Sequence, residues 1–254
     1  MIGRIMQWLS GKSDPVAIDD AVWNHITNSL HFLACLSNDE KIRLRQLTGQ
    51  FLAEKKYSAA GDLELNEAMC VAIAAQGCLP ILELGLAAYR GWVGIVIYPD
   101  EFVVSRQFED ENGVVHEFDD VISGEAWPGG PLIISWRDAR MAGEGYNVVI
   151  HEFAHKLDMQ NGDPDGVPRL HSGIGREEWE NILLAAYDDF CWRVDRGEQT
   201  SIDPYASEHP SEFFAVLTES FFETPLVVRE QYPDFYRLLT RFYRQDPARR
   251  CRAR

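Results

Sequence analysis

The apolar positions change period twice along the chain. Between residues 15 and 90 the spacing is mostly helical. AVWNHITNSLHFLACL places Val22, Ile26, Leu30, Leu33 and Leu36 near one helix face. In SNDEKIRLRQLTGQFLAEK, Ser37, Asn38 and Asp39 are candidate caps, and Ile42, Leu44, Leu47, Phe51 and Leu52 recur behind them. LELNEAMCVAIAAQGCLPILEL is a further helical run, broken near Gly77 and Pro80. From residue 91 the pattern becomes strand-like. GWVGIVIYP (91–99), FVVS (102–105), GVVHEF (113–118) and PLIIS (131–135) are short and rich in β-branched and aromatic residues. Glu-Asn-Gly and Pro-Gly-Gly supply turns between them. From Tyr146 the helical period returns, over 146–159, about 176–196, 209–223 and 232–244.

Helices, then a small sheet, then helices make an α+β arrangement, since the two element types are segregated along the chain. A boundary near residue 85 divides a helical part, 1–85, from the strands and later helices of 86–254. No flexible hinge marks it, so one compact unit is an equal reading. The 254 residues are 46 % apolar, with 13 Phe, 9 Tyr and 7 Trp, which is ample for a packed core. The formal charge of −16 disfavours direct nucleic-acid binding. The basic run Arg249, Arg250, Arg252 and Arg254 reads as a solvated, mobile tail. Five scattered cysteines without a CxxC read as buried free thiols of a reducing cytosol and exclude a cysteine-based zinc site. The opening residues lack a long apolar secretory core, and no segment reaches the roughly 20 apolar residues of a membrane helix. A cytoplasmic protein without membrane contact is expected.

The chemistry concentrates in NVVIHEFAHKLDMQNG, residues 147–162. Positions i and i+4 share a helix face, so His151 and His155 can present two imidazoles to one ion. Glu152 sits about 100° further round, beside the ion, placed to take a proton from water. Zinc suits these ligands and lowers the pKa of its water toward about 7. With 7 His and 21 Glu in the chain, a chance H-E-x-x-H arises roughly once in sixty such sequences. Context weighs against chance, because Val148, Val149, Ile150, Phe153, Ala154 and Leu157 make this a buried helix. Ionisable groups in a core need a reason. Asp158, three after His155, is either a carboxylate that orients a ligand imidazole or a plain helix-end charge.

A catalytic zinc site needs a third protein ligand and an open position. In HPSEFFAVLTESFFETP (209–225), Pro210 marks a helix start. Glu212 then falls among Phe213, Phe214, Val216 and Leu217, where an acid is costly unless paired or metal-bound. Glu219, seven residues on, is a rival ligand or a supporting carboxylate, and His209 is a further candidate. Tyr205 has the chemistry to donate to an oxyanion, although a lone tyrosine is usually filler. The strand in PLIISW (131–136) is an expected edge strand beside the site, suited to an extended peptide.

These residues resemble the Mlc titration factor A family of bacterial zinc metallopeptidases. The resemblance rests on GWVGIVIYPDEF (91–102), GGPLIISW (129–136), HEFAHKLDMQNG (151–162) and YASEHPSEFFAVLTESFF (205–222), and it covers nearly the whole chain. HEFAH with Y-x6-E-F-F-A is also similar, more distantly, to the catalytic domain of anthrax lethal factor, within the gluzincin group. The resemblance implies a zincin-like fold for 86–254. It implies one zinc ion held by His151, His155 and Glu212, with Glu152 as general base and Tyr205 as oxyanion donor. It further implies peptidase activity on small chromogenic peptides, and aminopeptidase-like activity is compatible with that. No acidic pair for a free α-amine can be assigned. It implies as partners a peptide or protein substrate and the glucose-responsive repressor Mlc, hence a link to the sugar phosphotransferase system. Two rival readings stand beside the peptidase. One is a non-catalytic, repressor-sequestering protein with a structural or switch zinc, and the other is a zinc amidase acting on a small molecule.

Overall fold

The computed structural model describes residues 14–109, 115–143 and 145–252. Capping sets the early helices. Asp19 accepts from the N–H groups of Ala21 and Val22 to open α1 (Asp20–Ser29), which is followed by the short α2 (His31–Ala34). Ser37 and Glu40 form a capping box at the start of α3 (Asn38–Glu54). A strand, β1 (Lys56–Ala59), intervenes before α4 (Glu67–Cys78). This corrects the helical reading of 15–90: KYSA is too short and polar to carry a strand period of its own.

The strand-like runs appear as β2 (Gly94–Tyr98), β3 (Phe102–Glu109), β4 (Val115–Ile122) and β6 (Leu132–Ser135), with β5 (Gly124–Ala126) between the last two. Residues 113 and 114 of the GVVHEF run lie outside the described residues. Among the described residues β3 and β4 pair with each other alone, in antiparallel register. The main sheet has the order β1-β2-β6-β5, with the first three parallel and β5 antiparallel to β6. Residues 131–136 are therefore interior, and β5 is the edge. The expected edge strand is corrected by a three-residue strand too short to read.

After α5 (Trp136–Ala139) come α6 (Val148–Asp158), α7 (Arg176–Asp195), α8 (Pro210–Glu223), α9 (Pro225–Gln231), α10 (Pro233–Tyr243) and α11 (Pro247–Arg252). Ile95, Ile97, Leu132 and Ile134 are fully buried on one face of the sheet. Register puts Gly124 beside Ile134 on that face, against α6. From α6, Phe153 enters an aromatic cluster with Phe51, Tyr89 and Trp92, at centroid separations of 5.2–6.1 Å. The ring lies so close to α4 that a Cβ on Gly77 would stand 2.4 Å from it. On the opposite side α8 packs on α6. Trp179 of α7 meets Phe214 of α8 and Phe242 of α10 edge-on, at 6.0 and 5.3 Å. No helix among the described residues is long and apolar enough to cross a membrane.

The basic tail departs from expectation. Arg250 is largely buried and pairs with Glu40 at 2.6 Å, so α11 is docked on the start of α3. Arg254 lies outside the described residues. Of the thiols of Cys35, Cys70, Cys78 and Cys191, that of Cys78 is fully buried and the other three are partly buried.

Polar ties cross residue 85 repeatedly: Gln245 Nε2 donates to Leu79 O at 2.8 Å, and Asn147 Nδ2 to Gln76 Oε1 at 2.9 Å. We propose that 1–85 and 86–254 form one folding unit. Gly77→Ala tests this, since overpacking against Phe153 is expected to cost roughly 1–3 kcal/mol. In denaturant, a single shifted transition shared by far-UV dichroism and tryptophan fluorescence is expected. Two separable transitions would restore the boundary.

Candidate metal centre

Asn147 opens the helix that matters. Its side chain accepts from Ile150 N–H at 2.9 Å, a cap worth about 1 kcal/mol. Its own N–H donates to Glu219 Oε2, and its Nδ2 donates to Glu223 Oε1 at 2.8 Å. Glu223 Oε2 also accepts from Gly145 N–H at 3.0 Å. Two carboxylates one turn apart on α8 thus grip the N-terminus of α6, where unpaired N–H groups and the helix dipole favour negative charge.

This clamp brings the candidate ligands together. His151 Nε2 lies 3.0 Å from Glu212 Oε2 and 3.1 Å from His155 Nε2, and His155 Nε2 lies 3.2 Å from the same carboxylate oxygen. His151 Nδ1 is 2.7 Å from Glu219 Oε1. With that nitrogen donating, Nε2 of a neutral ring is a lone pair aimed at two other acceptors. Three acceptors facing one another suit a cation. In a tetrahedral site with bonds of 2.0–2.1 Å, ligand atoms are about 3.3 Å apart, close to the triangle found here. The ligand side chains of His151, His155 and Glu212 keep 12 %, 9 % and 18 % exposure, so the centre opens to solvent, while Glu219 behind it is closed off. The donor set fits zinc.

The titration of these groups follows from the geometry. Burial opposes a charge on His151, yet the Glu212 and Glu219 carboxylates raise its pKa well above the ordinary value. Burial works against ionised Glu212 too, and His151 and His155 nevertheless hold it below the usual carboxylate range. Glu219 and Glu152 are raised by burial. Glu223 is pushed up to about 7 by burial.

Glu152 is buried on α6 against β5. Its Oε2 has no hydrogen-bond partner among the described residues, and a Cβ on Gly124 would stand 2.6 Å from its Oε1. Glycine at 124 is what lets the strand approach this carboxylate. Tyr205, on the 3₁₀ turn Pro204–Ser207 before α8, is half exposed, and its ring centroid lies 6.1 Å from that of His151.

The remaining candidates sit elsewhere. Glu219 supports His151 in the manner of a carboxylate behind a ligand. His209 caps α8, its Nδ1 accepting from Ser211 N–H at 3.2 Å. Asp158 is fully buried and accepts from Gly166 N–H at 2.8 Å, with no hydrogen bond to His155. Asn147, Gln76, Glu223 and Lys156 escaped sequence reasoning. Their signal was polar side chains inside apolar helices, and their partners lie too far along the chain to read.

A family model described as glucose-regulated metallo-peptidase M90 matches residues 6–244. The chain belongs to the M90 metallopeptidase family. Its curated relatives include Mlc titration factor A of Enterobacter sp. (strain 638), 39 % identical over 96 % of this chain and 93 % of that one. The protein of that name from Salmonella schwarzengrund is 40 % identical over 98 % and 95 %. That from Pectobacterium atrosepticum is 38 % identical over 98 % and 95 %. The M90 assignment implies a metal, and the His151–His155–Glu212 cluster is where this chain can hold one.

Gly124→Ala is expected to displace the Glu152 carboxylate while leaving the three ligand atoms in place. Peptide turnover by the zinc-loaded variant should fall on the order of 10²-fold. Zinc affinity from chelator competition should stay within a few-fold. Unchanged turnover would mean that this contact does not position Glu152.

Proposed function

We propose that the chain is a zinc-dependent peptidase, with His151, His155 and Glu212 as ligands, Glu152 as general base and Tyr205 as oxyanion donor. The observation that carries this reading is the meeting of three ligand atoms from two helices beside a buried carboxylate with a free oxygen. When bound, zinc polarises the scissile carbonyl and acidifies the attacking water. Glu152 takes the proton from that water as it adds to the carbonyl carbon, then delivers it to the departing amine nitrogen. Burial raises the affinity of Glu152 for that proton, which suits a group that must carry it between the two steps. Tyr205 donates its hydroxyl hydrogen to the carbonyl oxygen as charge develops there. Glu219 keeps His151 in the tautomer that leaves Nε2 free for the metal.

Glu152→Gln keeps size and polarity and removes the base. Turnover of an unstructured peptide library is expected to fall about 10²–10⁴-fold with zinc still bound. Cleavage equal to wild type would overturn the mechanism.

The relatives' name supports a second role, binding of Mlc, to which the family resemblance adds that Mlc is a repressor linked to sugar uptake. Ligands and base sit on buried helices, so capture through the outer surface does not need turnover. Immobilised Glu152→Gln protein is expected to retain Mlc as well as wild type does. Retention by wild type alone would tie binding to the catalytic site, and retention by neither would remove the second role.

A further inference from the structure

Lys156 directly follows the ligand His155 and is almost wholly buried. A buried ammonium is expensive unless its donors are used. Here all three are. Nζ donates to Trp127 O at 2.7 Å, Gly130 O at 2.9 Å and Pro131 O at 3.1 Å. These carbonyls belong to the turn that joins β5 to β6. The ammonium also lies 4.9 Å from the Trp92 ring centroid, and Lys55 sits 3.8 Å from the same ring. Among the described residues neither lysine has a carboxylate as a hydrogen-bond partner, and the Lys156 ammonium is held by the turn.

The turn controls the edge strand. Ser135 N–H donates to Ser123 O at 2.7 Å and Trp127 N–H to Pro131 O at 3.1 Å. In an antiparallel ladder this phase turns the peptide groups of residues 123, 125 and 127 toward β6. The N–H and C=O of Gly124 and Ala126 point the other way, along the open edge. One end of β5 touches Glu152 through Gly124. The other end runs into the turn held by Lys156, one helical turn further along α6. On this helix Lys156 bonds the turn at one end of the edge strand, and Glu152 packs against its other end.

We propose that Lys156 is a positioning residue that sets β5 at the height over the metal centre at which its open edge receives an extended peptide. This rests on the peptidase reading above. Lys156 contacts neither metal ligand atoms nor substrate. Its effect reaches the reaction through the strand, as binding shared by ground and transition states.

Lys156→Met keeps the stem and removes the donors. Expected for the zinc-loaded variant is zinc affinity within about twofold of wild type and a KM for a long peptide raised about tenfold. The kcat should stay within about threefold, and a single-residue chromogenic substrate, too short to lie along β5, should keep its KM. Amide hydrogen exchange at Trp127 and Ser135 should accelerate about tenfold, with α6 unchanged. Lys156→Arg, which keeps the charge, should fall between the two, and it carries the same comparison if the methionine variant does not fold. Unchanged exchange at Trp127 and Ser135 overturns the proposal, as does an equal KM change for long and short substrates or a loss of zinc affinity. If wild type cleaves neither substrate, the peptidase reading fails, and exchange alone decides the anchor: acceleration confined to 123–135 keeps it, and acceleration spread through α6 removes it.

Discussion

The Glu219 carboxylate is the constraint on which the centre depends. One oxygen accepts from the first N–H at the α6 terminus and the other faces His151 Nδ1. A single buried group thus fixes where α6 begins relative to α8 and which way the imidazole turns. Burial of a carboxylate is unfavourable, and here the helix N-terminus and the imidazole N–H offset it. Glu223 repeats the arrangement one turn later through Asn147 and Gly145. Together with the packing of α6 on α8, these two carboxylates hold three mutually repelling acceptors within 3.2 Å.

The helix divides its labour by face, as its 3.6-residue period requires. His151 and His155 look toward α8. Phe153 looks toward α4 and the aromatic cluster, where Gly77 leaves room for the ring. Glu152 and Lys156, one turn apart, look toward β5 and its turn. Every face is committed, so α6 has no solvent face on which to relax. A shift that improved one contact would be resisted by the other two, because close-packed interiors do not deform continuously.

How much of this could be read in the sequence follows from the range of each interaction. The His-Glu-His spacing is local to one helix and was plain. Glu212 was legible as an acid embedded among phenylalanines, although the residues alone left Glu219 as a rival and the family resemblance chose between them. The α+β order was legible because β2 and β6 have strong apolar periods. β1 and β5 were lost, being three or four residues long and too polar or small to show a period. Gly124 and Lys156 each broke their local pattern, a glycine in a strand and a lysine in an apolar helix. Such breaks mark functional contacts, but the partners of Lys156 lie 25 to 29 residues back along the chain. The tail misled for a similar reason: the partner of Arg250 is 210 residues away.

Many of the bonds around the centre join the chain to itself. Caps, carboxylate clamps, the aromatic cluster and the Lys156 anchor are all made by the chain itself. That separates this site from small zinc modules, in which metal binding supplies the folding energy. The large core here, with Phe153, Phe213, Phe214 and Phe221 fully buried, supplies folding energy to the helices that carry the ligands. A preordered triangle of acceptors leaves little conformational entropy to be lost on metal entry. Burial opposes a charge on His151, while the facing Glu212 and Glu219 carboxylates favour one. A position lined by such acceptors is suited to a cation, and the scaffold that makes it costly to leave empty also makes it ready for the ion.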